Sequence, residues 1–313
     1  MKKILMSINK DLKETRLHGT IEFPMAIYFS VLNEYAMGFI NWHWHDDMQF
    51  CYVIRGAVKF YVNGNEYFLN TEEGIFVNSK YLHMARPAGD LDSAYLCLDF
   101  SPNLLKNFSG SVFELRYLTP YIHDDRYCTI KLGNDTPEEI EILKLIRQIY
   151  TLYAEQNYGY ELQCMEKLYT IWYDLISLFS FKQLSKTIEG TGHNETMKSL
   201  LDYIEKNYKE HLTLEALASH VSLSKSECCR QFRQFTGETL FSYIQAIRLT
   251  HAVQLLNDRC MSITEIAYQT GFCSSSYFIE TFRKRMGVTP RQYRNERSKK
   301  PAQFTYINEN GIE

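Results

Sequence analysis

His43 and His45 stand two residues apart in the run His43–Trp44–His45–Asp46–Asp47–Met48–Gln49, and a third imidazole, His83, follows further along the chain. Side chains two apart on a β-strand point the same way, so this pair and His83 can meet across a small barrel. Neutral imidazoles at such a place share a divalent ion, line a pocket for a polar organic ligand, or serve the structure alone. Gln49 offers no anionic oxygen, which weakens the ion reading. His43, Trp44, His45, Gln49, Arg55 and His83 are therefore expected to bind a small-molecule effector, with no metal and no cofactor. Aromatic faces mixed with His, Gln and Arg donors suit a sugar or a related metabolite. A second group lies in the last third of the chain. Lys225, Ser226, Cys229, Arg230 and Arg233 are answered 50 residues later by Ser275, Ser276, Ile279, Glu280 and Arg283, with Lys284 and Arg285 following. Guanidinium and ammonium groups among small polar side chains are the chemistry of phosphate and base-edge recognition.

The charge distribution separates the two groups. The 313 residues carry 34 Lys+Arg and 37 Asp+Glu, net −3, which on its face argues against a polyanionic partner. Residues 196–300 nevertheless hold 16 basic and 10 acidic residues, net +6, and the remainder holds 18 and 27, net −9. A basic third fits nucleic acid and an acidic remainder does not. Hydrophobic residues make up 45%, and no apolar run approaches the ~20 residues of a membrane span. Eight cysteines are scattered without a Cys-x-x-Cys pair, and Lys2–Lys3 leads into a mixed polar stretch rather than a signal sequence. The expectation is a cytoplasmic protein with free thiols and no membrane contact.

The elements that must position these residues are legible in outline. Between Gln49 and Phe100 short apolar and β-branched runs (Gln49–Ile54, Val58–Val62, Glu66–Leu69, Ile75–Val77) are broken by turns, with Asn63–Gly64 as a hairpin signal. This predicts a small β-barrel or sandwich. At Thr136–Pro137–Glu138–Glu139 a cap, a first-turn Pro and a capping-box Glu open a helix. Its stripe of Ile142, Leu145, Ile146, Ile149 and Tyr153 is followed by a second stripe of Leu162, Met165, Leu168, Trp172, Leu175, Ile176 and Phe179. Two such helices form a lid on the barrel or a dimer interface. Ser185–Asn194, with Gly190 and Gly192, reads as a linker.

Residues 212–293 contain a duplication offset by 49 to 50 residues. Leu212–Ala218 answers Met261–Ala267, and Phe232–Gly237 answers Phe282–Gly287. Each half reads as a short helix opened by Thr or Ser, a turn (Val221–Ser224 or Thr270–Cys273), and a second helix closed by Gly, which is a helix-turn-helix unit. The stretch Phe241–Leu256 forms a helix that holds the two units apart. Major grooves on one face of B-DNA recur every ~34 Å, so two linked reading helices can enter successive grooves.

With these residues in view the chain resembles the AraC/XylS family of bacterial transcription regulators. The resemblance rests on Ile266–Phe272, Ser275–Phe278, Phe282–Lys284 and Gly287–Arg294, and is strong over residues 196–297. The His43–Gln49 segment and the stretch from Gly74 to His83 resemble the two motifs of a cupin barrel, with Gln49 where the metal-binding form has Glu. The resemblance implies a multidomain protein, β then α. Its parts would be a cupin-like sensor at 1–135, a helical connector or dimerisation region at 136–184, a linker at 185–195, an all-α double helix-turn-helix domain at 196–297, and a tail at 298–313.

Helix geometry places Cys228 and Phe232 in one core and Phe278 and Phe282 in the other, leaving Ser226, Cys229, Arg230 and Arg233 outward on the first second helix. The resemblance puts base contacts at the corresponding outward places of the last pair, Ser275, Ser276, Ile279 and Glu280. Arg230 suits a guanine edge, Ile279 a thymine methyl and Glu280 a cytosine amine. Lys225, Arg233, Arg248, Arg283, Lys284, Arg285 and Arg291 are expected on phosphates. The function expected is a homodimeric regulator of promoter DNA, acting with RNA polymerase and modulated by an effector, not an enzyme. The alternative from another class is a metal-dependent cupin enzyme with an appended helical module.

Overall fold

A computed structural model describes residues 4, 6–9, 11–89, 92–122, 124–182, 192–256, 258 and 260–297. Nine strands come first: β1 (Met25–Val31), β2 (Ile40–His43), β3 (Met48–Arg55), β4 (Val58–Val62), β5 (Asn65–Leu69), β6 (Gly74–Val77), β7 (His83–Pro87), β8 (Ala94–Phe100) and β9 (Thr129–Leu132). Short helices α1 (Asn103–Lys106) and α2 (Thr119–Ile122) sit before β9, and α3 (Pro137–Glu155) and α4 (Tyr160–Lys182) follow it. The strands form two antiparallel sheets, in the orders β1-β8-β3-β6-β9 and β2-β7-β4-β5. The expected β-rich domain is present, extended beyond the Gln49–Phe100 window by β1, β2 and β9.

Strand β3 pairs with β8 so that Gln49 faces Asp99, Cys51 faces Cys97 and Val53 faces Tyr95. These residues look into the space between the sheets, where Tyr95 meets Phe60 of the other sheet. The alternate residues, Phe50, Tyr52, Leu96, Leu98 and Phe100, pack with Ile142, Ile146 and Ile149 of α3 and with Leu168, Trp172, Leu175 and Phe179 of α4 in one core. Both faces of β8 are therefore covered, and all seven of its residues are buried. A strand covered on both sides reads as a continuous apolar run, which is why Ala94–Phe100 shows no polar alternation. The β4–β5 hairpin turns at Asn63 and Gly64, both with positive φ (49° and 85°), as Asn-Gly requires.

Helix α3 begins as expected: the Thr136 hydroxyl accepts from the Glu139 amide at 3.2 Å. The buried Glu139 carboxylate accepts from the amides of Gly133 (3.1 Å) and Asp135 (3.3 Å), joining the helix to the end of β9. The α3 and α4 stripes are covered by each other and by the five-stranded sheet, so the face expected to lie either on the barrel or in a dimer interface lies on the barrel. Leu162 departs from its predicted stripe and is 77% exposed. It falls in the first turn of α4, outside the line of Cys164, Leu168, Ile171 and Leu175 that meets the sheet.

The C-terminal elements are α5 (Gly192–Asn207), α6 (Leu214–His220), α7 (Lys225–Thr236), α8 (Leu240–Leu255), α9 (Ile263–Gln269), α10 (Ser275–Met286) and α11 (Pro290–Arg297). Of the expected linker, 185–191 lie outside the described residues and Gly192–Asn194 are helical. The stripe of Met197, Leu200, Leu201 and Ile204 carries the helix back to Gly192, whose amide needs no partner within the helix. The tail 298–313 lies outside the described residues. By internal packing the chain divides into two compact units. One comprises Ser7–Leu32 and Ile40–Asn194, so that the helical pair belongs with the barrel instead of forming a separate connector. The other comprises Met1–Met6, Asn33–Phe39 and the residues from Glu195 onward.

In the second unit α6–α7 and α9–α10 are the two helix-turn-helix pairs. Thr213, Ser224, Ser262 and Ser274 cap them with side-chain oxygens, and Ser262 forms a reciprocal capping box with Glu265. Gly237 and Gly287 end α7 and α10 in the left-handed region. Behind α10 a file of rings, Phe272, Phe278, Phe282 and Tyr293, packs with Ala252, Val253 and Ile266. Gly271, in the second turn, has φ +83°, and a Cβ there would lie 2.6 Å from the Tyr208 carbonyl and 2.9 Å from that of Lys209. Gly271→Ala is expected to destabilise this unit by about 1–3 kcal/mol through backbone strain and overlap, read as a lowered unfolding midpoint in urea. An unchanged midpoint would refute the close approach.

Candidate functional site

The outward faces of α7 and α10 form the first candidate site. On α7 Cys228, Phe232 and Phe235 are buried, and Ser226, Cys229, Arg230 and Arg233 are exposed. Arg230 donates from Nε to Glu227 at 2.9 Å and from Nη1 to Gln234 at 3.3 Å, which holds the guanidinium along the helix surface. Lys225 pairs with Glu215 of α6. On α10 Phe278 and Phe282 are buried, Ser276, Ile279, Glu280, Arg283, Lys284 and Arg285 are exposed, and Ser275 is half-buried. Ser276, Ile279, Glu280, Arg283 and Lys284 line one open cleft, together with Gly287 and Thr289 from the turn that follows. Among the described residues Arg233, Arg283, Lys284 and Arg291 form no ion pair, so their charge is available to a phosphate.

Two expected phosphate ligands are placed otherwise. Arg248 of α8 donates from Nε to the Tyr208 carbonyl and from Nη2 to the Glu210 carbonyl, each at 2.8 Å, and burial lowers its pKa. It braces the loop after α5, whose Glu210 carbonyl also accepts from the Leu212 amide at 3.0 Å. Arg285 lies over the Phe39 ring, 5.4 Å from its centre. Tyr277, 42% exposed with its hydroxyl bonded to Gln245, was not singled out from sequence although it lies one residue from Ser276. A large ring on a short amphipathic helix carries no sign of which way it faces.

The second candidate site lies in the barrel unit. Strands β2 and β7 pair His43 with His83, with ring centres 4.1 Å apart, and His45 stands 5.0 Å from His83. Each Nδ1 contacts a backbone carbonyl: Asn41 for His43 (2.8 Å), Asp47 for His45 (2.9 Å) and Tyr81 for His83 (2.8 Å). A carbonyl only accepts, so Nδ1 carries the proton in all three rings and Nε2 presents a lone pair. Those of His45 and His83 are buried with no hydrogen-bond partner. One nitrogen from each ring lies within 4.8 Å of the others.

Around the three rings stand residues with no motif to announce them. Glu14 Oε2 lies 4.0 Å from His43 Nε2 and 3.5 Å from His18 Nε2. Asp99 lies 4.0 Å from His45 Nε2 and accepts from Gln49 Nε2 at 2.9 Å. Burial alone would lower the pKa of His18, but Asp99, Glu14 and Asp47 around it raise it to about 9. Burial works to raise that of Glu14, and the hydrogen bond and charge of His18 help overcome it and bring it to about 2. Burial lowers His43 to about 4 and pushes His83 well below its ordinary value, with the neighbouring histidines adding to the effect. At neutral pH the site thus holds neutral His43 and His83 beside a Glu14 anion and a His18 cation.

His43, His45, Gln49 and His83 are brought together as the sequence reading expected. Arg55 and Trp44 are not part of this group. Arg55 ends β3 at the opposite end from Gln49 and is paired with Asp92 at 2.6 Å. Trp44 alternates to the other side from His43 and His45, donates from Nε1 to the Asp11 carbonyl at 2.8 Å, and carries Lys13 over its ring. Glu14 and His18 were missed because they lie outside any strand pattern. Asp99 left a readable sign, an acid inside the apolar run Leu96–Phe100.

A family model described as a helix-turn-helix domain matches residues 217–296, and one described as an AraC-like ligand binding domain matches residues 29–171. The chain is 32% identical over 291 residues, 93% of its length and 98% of the relative's, to the uncharacterized HTH-type transcriptional regulator YdeC of Bacillus subtilis (strain 168). It is 25% identical over 284 residues, 90% of its length and 98% of the relative's, to the HTH-type transcriptional activator RhaS of Escherichia fergusonii. A solved structure of ToxT from Vibrio cholerae O395 is 16% identical with a TM-score of 0.40, covering 88% of this chain and 98% of that one. Among the described residues no helix is long and apolar enough to cross a membrane. With a double helix-turn-helix unit, a two-sheet barrel, both family models and a relative 32% identical along nearly its whole length, the chain belongs to the AraC family of DNA-binding transcription regulators.

Proposed function

We propose that this regulator activates transcription from specific promoters, with α7 and α10 reading bases and the barrel binding a small polar effector. The observation that carries the proposal is the matched pair of second helices. Each buries one apolar face and presents Ser, Arg and other small or long polar side chains on the other. Ser226, Cys229 and Arg230 on α7, and Ser275, Ser276, Ile279 and Glu280 on α10, are the base-reading set. Lys225, Arg233, Arg283, Lys284 and Arg291 hold the phosphate backbone, and Arg248 and Arg285 drop out of that role. Base contacts specify sequence and phosphate contacts set affinity and register.

The effector is a sugar or a related metabolite, taken up at the polar cluster of His43, His45, Gln49 and His83. The buried Nε2 atoms of His45 and His83, which have no hydrogen-bond partner, favour a ligand rich in hydroxyl groups. Its binding shifts the balance between DNA-binding arrangements to the extent that its affinity differs between them. The protein acts in the cytoplasm as a homodimer that contacts RNA polymerase, and it performs no catalysis. Support for that side of the reading comes from the relatives, which are named regulators and activators; none of those reported above is named as an enzyme.

Arg230→Ala is expected to weaken binding by about 1–3 kcal/mol and to relax preference at one base pair, because Glu227 leaves the guanidinium exposed and able to exchange partners. Equal affinity of wild type and variant for every single-base promoter variant would reject the base-reading role. Arg283→Ala is expected to weaken all sequences alike and to reduce the slope of log affinity against log salt by about 1. A footprint of the protein on the DNA upstream of its own reading frame, with and without a panel of sugars, tests the regulator itself. Protection that is sequence-specific and changes with one sugar is the expected result.

A further inference from the structure

We propose that Glu14, His43, His45 and His83 together bind one divalent first-row transition-metal ion. The strongest observation is the shared orientation of the three rings. Each Nδ1 proton is held by a backbone carbonyl at 2.8–2.9 Å, which leaves Nε2 as the nitrogen with a lone pair to give in all three clustered rings. Metal-binding histidines have their second nitrogen fixed in this way, since it sets both the tautomer and the direction of the lone pair. A core built for packing alone would give such nitrogens hydrogen-bond donors. Here the Nε2 atoms of His45 and His83, on residues only 4% and 2% exposed, have none. Leaving a buried acceptor unpaired costs about 1–3 kcal/mol, and a cation at the centre removes that penalty for several nitrogens at once.

The donor set and spacing agree. The three ring nitrogens lie within 4.8 Å of one another. Nitrogens at ~2.1 Å from an ion stand roughly 3.0–3.4 Å apart, so closure asks for ring movements of about 1 Å, within the freedom of a side-chain torsion. The fourth donor is anionic: Glu14 Oε2, 4.0 Å from His43 Nε2 and steadied by His18. Three imidazoles and one carboxylate select zinc, manganese, iron, cobalt or nickel over magnesium or calcium, which prefer oxygen. Gln49 is not the carboxylate substitute, because an amide carries no negative charge and its Nε2 already donates to Asp99. The anion comes instead from the segment before β1, which is strapped along Trp44: the Trp44 amide donates to the Leu12 carbonyl at 3.0 Å and the Glu14 amide to the Trp44 carbonyl at 2.9 Å. An ion at this place ties that strap to β2 and β7.

The inference rests on the reading above only in taking this cluster as the barrel's binding site: with the ion on the ring nitrogens, the effector's hydroxyl groups meet the ion and Gln49 instead of the imidazoles. The full-length chain, stripped with a chelator and dialysed, is titrated with Zn²⁺ by calorimetry and with Co²⁺ by visible absorption. Expected are one ion per chain and the ligand-field bands of a nitrogen-ligated Co²⁺. Glu14→Gln, close in shape and mild in its effect on folding, weakens the ion by at least about tenfold and shifts those bands. His83→Ala abolishes binding while the exposed His211→Ala leaves it intact, with circular dichroism confirming that each variant is folded. No stoichiometric ion, or a Co²⁺ spectrum and affinity unchanged by Glu14→Gln, overturns the proposal. The promoter footprint is run on the same stripped and loaded samples. Lost ion binding with an intact footprint removes the metal site alone, and stoichiometric ion with no footprint removes the DNA reading alone.

Discussion

The pairing of β3 with β8 is the constraint on which the sensor unit depends. These two strands lie at the centre of the five-stranded sheet and are covered by α3 and α4 on one side and by the second sheet on the other. Because side chains alternate, one register decides two things at once. Phe50, Leu96, Leu98 and Phe100 go to the helices, and Gln49, Cys51, Cys97 and Asp99 go to the space between the sheets. A slip by one residue would place Asp99 against Trp172 and Phe179 and a phenylalanine beside His18. The apolar helix-facing set makes that exchange prohibitive, and so the same packing that stabilises the unit fixes where its polar groups converge.

In the DNA-binding unit local signals carry more of the specification. Caps at Thr213, Ser224, Ser262 and Ser274 and left-handed glycines at Gly237 and Gly287 set where each short helix begins and ends. Helices of seven and twelve residues are too short to be stable alone, so the rings behind α10 and the buried Phe232 and Tyr243 behind α7 supply the stability. The outward faces are then free of packing duty. That freedom lets Ser276, Ile279, Glu280 and Arg283 be chosen for what they touch on a partner. Arg248 marks the boundary of this division, since a basic side chain that finds buried carbonyls becomes part of the scaffold.

The sequence disclosed most where structure is local or periodic. The Asn63–Gly64 hairpin, the α3 cap and both helix-turn-helix pairs follow from backbone preferences and 3.6-residue stripes. It disclosed less where the deciding neighbour is far along the chain. Arg55 and Trp44 lie in the same short stretch as His43 and Gln49, yet one faces Asp92 and the other clamps the strap, because direction on a strand alternates and the far end of a strand is another place. The helical pair, read from sequence as either a lid on the barrel or a dimer interface, is the outer layer of the barrel, for a stripe on a helix does not name the surface that covers it.

What the sequence determined by itself is therefore the family, the order of the parts, and the inward and outward faces of α7 and α10, all of which rest on short-range periodicity and a repeated signature. What only the tertiary structure decided is the composition of the barrel site. Glu14 and His18 come from the N-terminal strap, His43 and His45 from β2 and the turn after it, His83 from β7 and Asp99 from β8. Spacing grouped the three imidazoles with Gln49, but none links Glu14, His18 and Asp99 to them, since these reach the site through sheet pairing or a strap contact whose partner is tens of residues away. The charges of that site are likewise a property of the fold: burial and proximity, not residue type, make His18 a cation and His43 a neutral base.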